Sequence, residues 1–185
     1  MNTSFYSDEE LARLGLKSYG KDVKISRNAS IYGASNIAIG SNVRIDDFCI
    51  LSGHIILGSN IHISAYVALY GTMGIELDDY TGISPRSTIF SAMDDFSGEY
   101  LIGPIHNEGQ THVTGGKVIL NRYSQIGANC VVFPNIIIAE GSVIGAMSLV
   151  NKSTSPWTIN IGTPAKAIKN RNRDLLQKLQ TLNNG

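Results

Sequence analysis

The chain has 185 residues, and 15 Lys and Arg balance 15 Asp and Glu to a formal net charge of zero. That balance argues against a partner that is nucleic acid or an anionic membrane surface, because such binders are basic overall or over a broad patch; only the stretch from Lys166 to Lys178 is visibly cationic. With 24 Ile, 14 Leu and 9 Val against 5 Pro, the composition is neither collagen-like nor disordered, and one ordinary domain spanning 1–185 is expected.

No apolar run approaches the roughly 18 residues of a membrane span, and the start Met1-Asn2-Thr3-Ser4-Phe5 lacks the basic and apolar stretches of a signal peptide. A cytoplasmic protein without a membrane span is expected. Cys49 and Cys130 are far apart and have no metal-type neighbours, so both are read as small buried apolar side chains.

In chain order, residues 1–18 are read as an N-terminal helical cap. Ser7 followed three residues later by Glu10 is a capping box, opening a short helix that ends near Gly15. From about residue 19 to 155 a period of six takes over. Ile39, Ile45, Leu51, Leu57, Ile63 and Leu69, then Leu77, Ile83 and Ile89, then Leu120, Ile126, Val132, Ile138, Ile144 and Val150 fill fifteen successive slots with aliphatics. A helical period of 3.6 cannot produce this. The position four residues after the aliphatic is usually small or medium, as at Val43, Cys49, Ser87, Ser124, Cys130 and Ser148. A short strand with one large and one small inward side chain, then a turn, repeated three times per coil, gives a stack in which no coil buries its inner face alone. Tyr19, Ile25 and Ile31 begin the pattern, and two-residue slips precede Ile39 and fall near Gly71-Thr72-Met73-Gly74, where glycine can turn an altered corner.

The repeat is broken once, from 93 to 117, by a polar, Gly-bearing stretch holding Asp94, Asp95, His106 and His112. A long loop inside an otherwise unbroken solenoid points to function. After Pro156 the repeat stops, and 156–185 is read as a tail with an amphipathic helix over Arg173-Asp174-Leu175-Leu176-Gln177-Lys178-Leu179. Both terminal helices are read mainly as covers for the open ends of the stack.

The hexads resemble those of the hexapeptide-repeat acyltransferases, which implies an all-β fold, a single-stranded left-handed parallel β-helix. The end of the solenoid adds a second likeness. Ile144-Gly145-Ala146-Met147, then Lys152, Pro156-Trp157 and Gly162-Thr163-Pro164-Ala165-Lys166, look like the acetyl-CoA-binding end of the galactoside, maltose and xenobiotic acetyltransferases. That resemblance implies a homotrimer with sites between subunits and acetyl-CoA as co-substrate. Ala128, Gly145 and Ala146 would lie along the pantetheine arm, and Lys152, Lys166 and Lys169 would face the CoA phosphates.

In that family the base is a histidine at the head of the long loop; counted from Ile89, the slot here holds Asp94. A carboxylate is a weak base toward an alcohol unless its surroundings raise its pKa, which the adjacent Asp95 would do by sharing the site. The departure leaves three readings. Asp94 serves a sugar hydroxyl with help from His106 or His112; or the acceptor is the amine of a nucleotide-linked amino sugar, which needs orienting more than deprotonating; or activity is lost. The leading expectation is O-acetylation of a sugar in surface-polysaccharide or O-antigen synthesis, with N-acetylation as the alternative. By the same likeness His62 and Ser64 would contact the acceptor. No metal is called for. A metal-dependent carbonic anhydrase on the same fold would need three converging histidines, which the spacing of His54, His62, His106 and His112 does not support. A trimeric, non-enzymatic scaffold is the remaining alternative.

Overall fold

The computed structural model describes residues 4–107 and 109–183, and Glu108 of the loop lies outside them. At the N-terminus the capping box forms in both directions. Ser7 Oγ accepts from the Glu10 amide, the Glu10 carboxylate accepts from the Ser7 amide at 2.8 Å, and α1 (Asp8–Arg13) follows. Gly15 turns the chain out of the helix with φ of 72°. Leu11 is buried against the first coil, and Glu10 also holds both Arg27 amino groups.

The coil runs through β1 (Ser18–Tyr19), β2 (Val23–Ile25), β3 (Ser30–Tyr32), β4 (Ile37–Ile39), β5 (Val43–Ile45), β6 (Ile50–Leu57), β7 (Ile61–Ile63), β8 (Ala68–Leu77), β9 (Gly82–Ile83) and β10 (Thr88–Phe90). The insertion contributes β11 (Ala92–Asp94) and β12 (Val113–Gly115). The coil then resumes with β13 (Val118–Leu120), β14 (Gln125–Ile126), β15 (Val131–Val132), β16 (Ile137–Ile138), β17 (Val143–Ile144), β18 (Leu149–Val150) and β19 (Thr158–Gly162). Strand β20 (Ala165–Asn170) and helix α2 (Leu175–Asn183) complete it.

These strands stack in parallel as a left-handed β-helix of about seven turns. Three faces form a prism. Face one holds β2, β5, β7, β9, β14, β17 and β19; face two holds β3, the first half of β6 and of β8, β10, β15 and β18; face three holds β1, β4, the second halves of β6 and β8, β13 and β16. All fifteen periodic aliphatics are buried, as are the small slots between them. Each large one stabilises the stack by roughly 1.5–3 kcal/mol, repeated rung after rung. Tyr19 differs from its expected inward role and is 41% exposed, because it sits on the first strand of its face with no rung below it.

The corners explain the irregular residues. Among the described residues, twelve other than glycine have left-handed φ, including Phe48, Tyr66 and Arg86 on the edge between faces one and two, and Asn60, Tyr80, Tyr123 and Trp157 on the edge between faces three and one. L-residues disfavour that conformation by about 1–2 kcal/mol, and stacked rings offset part of it: Phe48 on Tyr66 at 4.9 Å and Tyr80 on Tyr123 at 5.6 Å. The two expected slips are real. One is the short 3-10 turn Ala34–Asn36 after Gly33, and the other shifts the β6–β8 offset from 18 to 20 residues, with Gly74 at φ of 99°.

The ladder does not stop at residue 155. Trp157 turns the edge with φ of 55°, as Tyr123 does with φ of 61°, so β19 stacks in parallel on β17 before β20 returns antiparallel to it. Helix α2 starts at Leu175, two residues after the expected Arg173.

Candidate active site

After β10 the chain leaves the prism instead of turning onto face three. β11 and β12 pair antiparallel from Ala92 opposite Gly115 to Asp94 opposite Val113, and the Gly116 amide closes the stem on the Ser91 carbonyl at 2.9 Å. The insertion therefore rises on a two-stranded stem at the edge between faces two and three.

Asp94 ends β11, half-buried, in a cavity of about 480 Å³ that it shares with Thr72, Phe90, Met93, Phe96 and Val113. One carboxylate among apolar walls can accept a proton or a hydrogen bond from a substrate held there. Asp95 is turned elsewhere, since neighbours along a strand point to opposite sides. Its carboxylate accepts from the Ser97 hydroxyl and, at 3.1 Å, the Ser97 amide, and those two bonds hold its pKa below the usual carboxylate range. The expected pair of acids sharing one site is thus not formed within the chain. His112 packs its ring against Tyr100 at 5.0 Å and His106 is exposed; neither bonds to Asp94 among the described residues.

His62 and Ser64 lie elsewhere. His62 projects outward from β7 on face one, as its flanking buried isoleucines require, and its Nε2 is 2.7 Å from Asp46 Oδ2. Asp46 also accepts from Arg44 at 2.6 Å; burial pushes the Asp46 carboxyl up, but these two donors outweigh it and hold it low. Ser64 stands on the edge between faces one and two, its amide bonded to Ile83 and its carbonyl accepting from Cys49.

One rung above Ser64 on that edge is Ser84. Its amide donates to Ile126 at 2.9 Å, and its hydroxyl has no hydrogen-bond partner among the described residues. Ser84 is not among the residues expected from sequence, although it occupies the same slot after an aliphatic as Ser64. Above Ser84 the edge narrows to Gly127-Ala128 and Gly145-Ala146. A Cβ on Gly127 would meet the backbone nitrogen of Ala146 at 2.6 Å, so coil-on-coil packing demands that glycine, while one on Gly145 would meet the exposed Ile161 side chain at 2.8 Å, which would have to shift. Ala146 is exposed on this edge, and the Thr163 hydroxyl reaches the Met147 carbonyl at its top. Lys166, opposite Ile161 on β20, stands nearest this edge; Lys169 is opposite Ile159, further along face one, and Lys152 follows β18 at the far end of face two. All three are exposed and none forms an ion pair among the described residues.

Neither cysteine is a nucleophile. Burial pushes the Cys49 thiol up to about 11 and raises Cys130 as well. No three His, Cys, Asp or Glu side chains of the described residues gather as a metal site.

No protein-family model matches the chain. A dTDP-4-amino-4,6-dideoxy-D-glucose acyltransferase from Escherichia coli is 41% identical over 176 residues, covering 93% of this chain and 92% of that protein. The chain belongs to the hexapeptide-repeat acyltransferases. A solved structure similar to this acyltransferase is AntD, an N-acyltransferase from Bacillus cereus. Its S84C variant, in complex with dTDP-4-amino-4,6-dideoxyglucose and coenzyme A, is 47% identical with a TM-score of 0.96, covering 100% of both chains. The O-acetyl transferase likeness is more distant: the Escherichia coli K12 protein named for lipopolysaccharide biosynthesis, WbbJ, is 27% identical over 81% of this acyltransferase and 76% of its own length. The amine acceptor, held as the alternative from sequence, is therefore better supported than the hydroxyl, and the scaffold and carbonic-anhydrase-like readings give way to an acyltransferase.

Proposed function

We propose that this acyltransferase moves an acyl group from an acyl-CoA thioester to the 4-amino group of a dTDP-linked 4-amino-4,6-dideoxy sugar, in the cytoplasm, as a homotrimer. The observation that carries this reading is the single carboxylate of Asp94 in the cavity of the loop stem, in a chain similar over its full length to proteins that act on or bind that sugar nucleotide. AntD has been solved as D94N, D94A, S84A, S84C and S84T variants, and aspartate and serine stand at the same numbers here.

A neutral amine is already a nucleophile, so the family's histidine is dispensable. Asp94 accepts a hydrogen bond from the amine and points its lone pair at the thioester carbonyl. As the carbon–nitrogen bond forms and the carbon–sulfur bond breaks, the amine proton passes by way of Asp94 to the departing thiolate. Ser84, with an uncommitted hydroxyl, donates to the developing oxyanion. The pantetheine arm follows Ala128, Gly145 and Ala146, and Lys166 with Lys169 meets the phosphates. The acyl chain is acetyl or somewhat longer, AntD having been solved with 3-hydroxybutyryl-CoA.

The test is CoA release, followed with a thiol reagent, when the purified protein is given acetyl-CoA or 3-hydroxybutyryl-CoA together with dTDP-4-amino-4,6-dideoxyglucose or its 4-hydroxyl counterpart. Release with the amine alone, and a product mass one acyl group higher, is expected. Equal or faster release with the hydroxyl sugar would return the O-acetyl reading.

A further inference from the structure

Where the tail folds back across the edge between faces three and one, it closes a cavity of about 430 Å³ remote from the loop stem. Tyr80 and Tyr123, stacked on one another, form one wall, and Leu175 and Leu179 of α2 form the other. Two cations line the space, Arg171 and Lys178. Four other cavities of the molecule each carry at least one Asp or Glu, whereas this one carries none. Arg171 is half-buried and uses Nη1 on two backbone carbonyls, Tyr123 at 2.7 Å and Gly141 at 3.0 Å. It forms no ion pair with any carboxylate among the described residues, and burial lowers its pKa. A guanidinium drawn out of water without a counter-charge is unfavourable unless an anion supplies one, and its planar fork suits phosphate. The two tyrosine rings and the leucines make room for a flat or apolar body attached to that anion.

We infer that this cavity is a second binding site, separate from the acyl-transfer centre, for an organic phosphate with a planar body. The phosphate lies between Arg171 and Lys178 and the planar part against Tyr80 and Tyr123.

Phenyl phosphate is the minimal probe, because it resembles neither the sugar nucleotide nor CoA. Trp157, the one tryptophan, is buried with its ring 6.2 Å from that of Tyr123, a wall of the cavity, so its fluorescence senses changes at that wall through Tyr123. Titration by fluorescence and calorimetry is expected to show saturable binding of phenyl phosphate, with phenol and inorganic phosphate each at least about tenfold weaker. Lys178→Glu, on the exposed face of α2, should weaken phenyl phosphate by about tenfold or more with unchanged melting behaviour. Arg171→Gln should do the same, and if loss of its carbonyl bonds unfolds the tail, Lys178→Glu alone decides. Binding of phenol as tight as that of phenyl phosphate, no saturable signal, or affinity untouched by Lys178→Glu would each overturn the assignment.

Discussion

Ser84 and Asp94 are separated by one strand, β10, and so stand at two different edges of the prism. A face of roughly 10–15 Å lies between them at the usual strand rise. If both act on one thioester, as proposed, they come from neighbouring chains. Co-expression of Ser84→Ala and Asp94→Asn chains should then restore activity. In a randomly mixed trimer about a quarter of the junctions join an intact Ser84 to an intact Asp94, so recovery to about a quarter of the parent rate is expected. A mixture no more active than its components would place both residues in one chain's site.

Asp94 and Asp95 differ in what they touch, and kinetics should separate them. Asp94→Asn keeps the shape of the cavity but removes the proposed acceptor of the amine proton, and a fall in kcat of about 100-fold with little change in KM for acyl-CoA is expected. Asp95→Ala loosens the Ser97 turn, and a change within about threefold follows, because its carboxylate faces away from the cavity. Steady-state rates across both substrates check the pair.

Two glycines, on rungs separated by one other, should answer alanine substitution oppositely. A Cβ on Gly40 would stand 2.4 Å from the Gly58 carbonyl oxygen, which is backbone and cannot move aside, whereas one on Gly82 finds its nearest neighbour, the His62 carbonyl, at 3.7 Å. Gly40→Ala should lower stability by about 1–3 kcal/mol. Gly82→Ala should be neutral or gain up to about 0.5 kcal/mol by stiffening the unfolded chain. Denaturant midpoints of the two variants provide the comparison.

Inside the prism, Ser124 and Ser142 occupy the same inward slot on successive rungs but with different company. Ser142 accepts from Asn160 Nδ2 at 3.0 Å and donates to the Thr158 carbonyl, while the Ser124 hydroxyl is buried without a partner among the described residues. Ser142→Ala should cost about 1–3 kcal/mol, and Ser124→Ala should be neutral or stabilise by up to about 1 kcal/mol. Urea unfolding at matched protein concentration tests the sign of each.

At the N-terminal cover, hydrogen bonds from Arg27 and then from the Ser7 amide lower the Glu10 carboxyl to about 2. A carboxylate whose pKa is depressed in the folded state contributes stability that is complete above its unfolded value of about 4.3 and is lost as pH falls through the folded value. Attachment of α1 should therefore weaken between about pH 4.3 and 2. The Glu10 carboxyl resonance should titrate near the low end of that window, and Glu10→Gln should remove the pH dependence of α1 amide exchange.

The architecture was legible from Ile39 to Val150 because inward and outward alternation is a local property, written every second residue and renewed at every corner. The α1 cap was legible for the same reason, Ser7 and Glu10 being three residues apart. Legibility failed where contacts join distant residues. Arg171 meets Tyr123 only because the tail doubles back, and the role of Trp157 in turning the last rung is invisible beside Pro156, which halts the hexads. The place of Asp94 at the head of the loop could be counted from Ile89, but whether a carboxylate there would serve a hydroxyl or an amine could not, since the difference lies in the partner.

The final strand has one further consequence. A stack of parallel rungs is by construction a template, each rung's amides and carbonyls set to receive another like it, and two such stacks meeting end to end could add without limit as a fibre. β20 reverses direction against β19 and so presents the wrong polarity to an incoming parallel rung. The short hairpin that carries Lys166 thus closes the end of face one to an added parallel rung, and trimming it back to Gly162 would expose β19 there as a growing end.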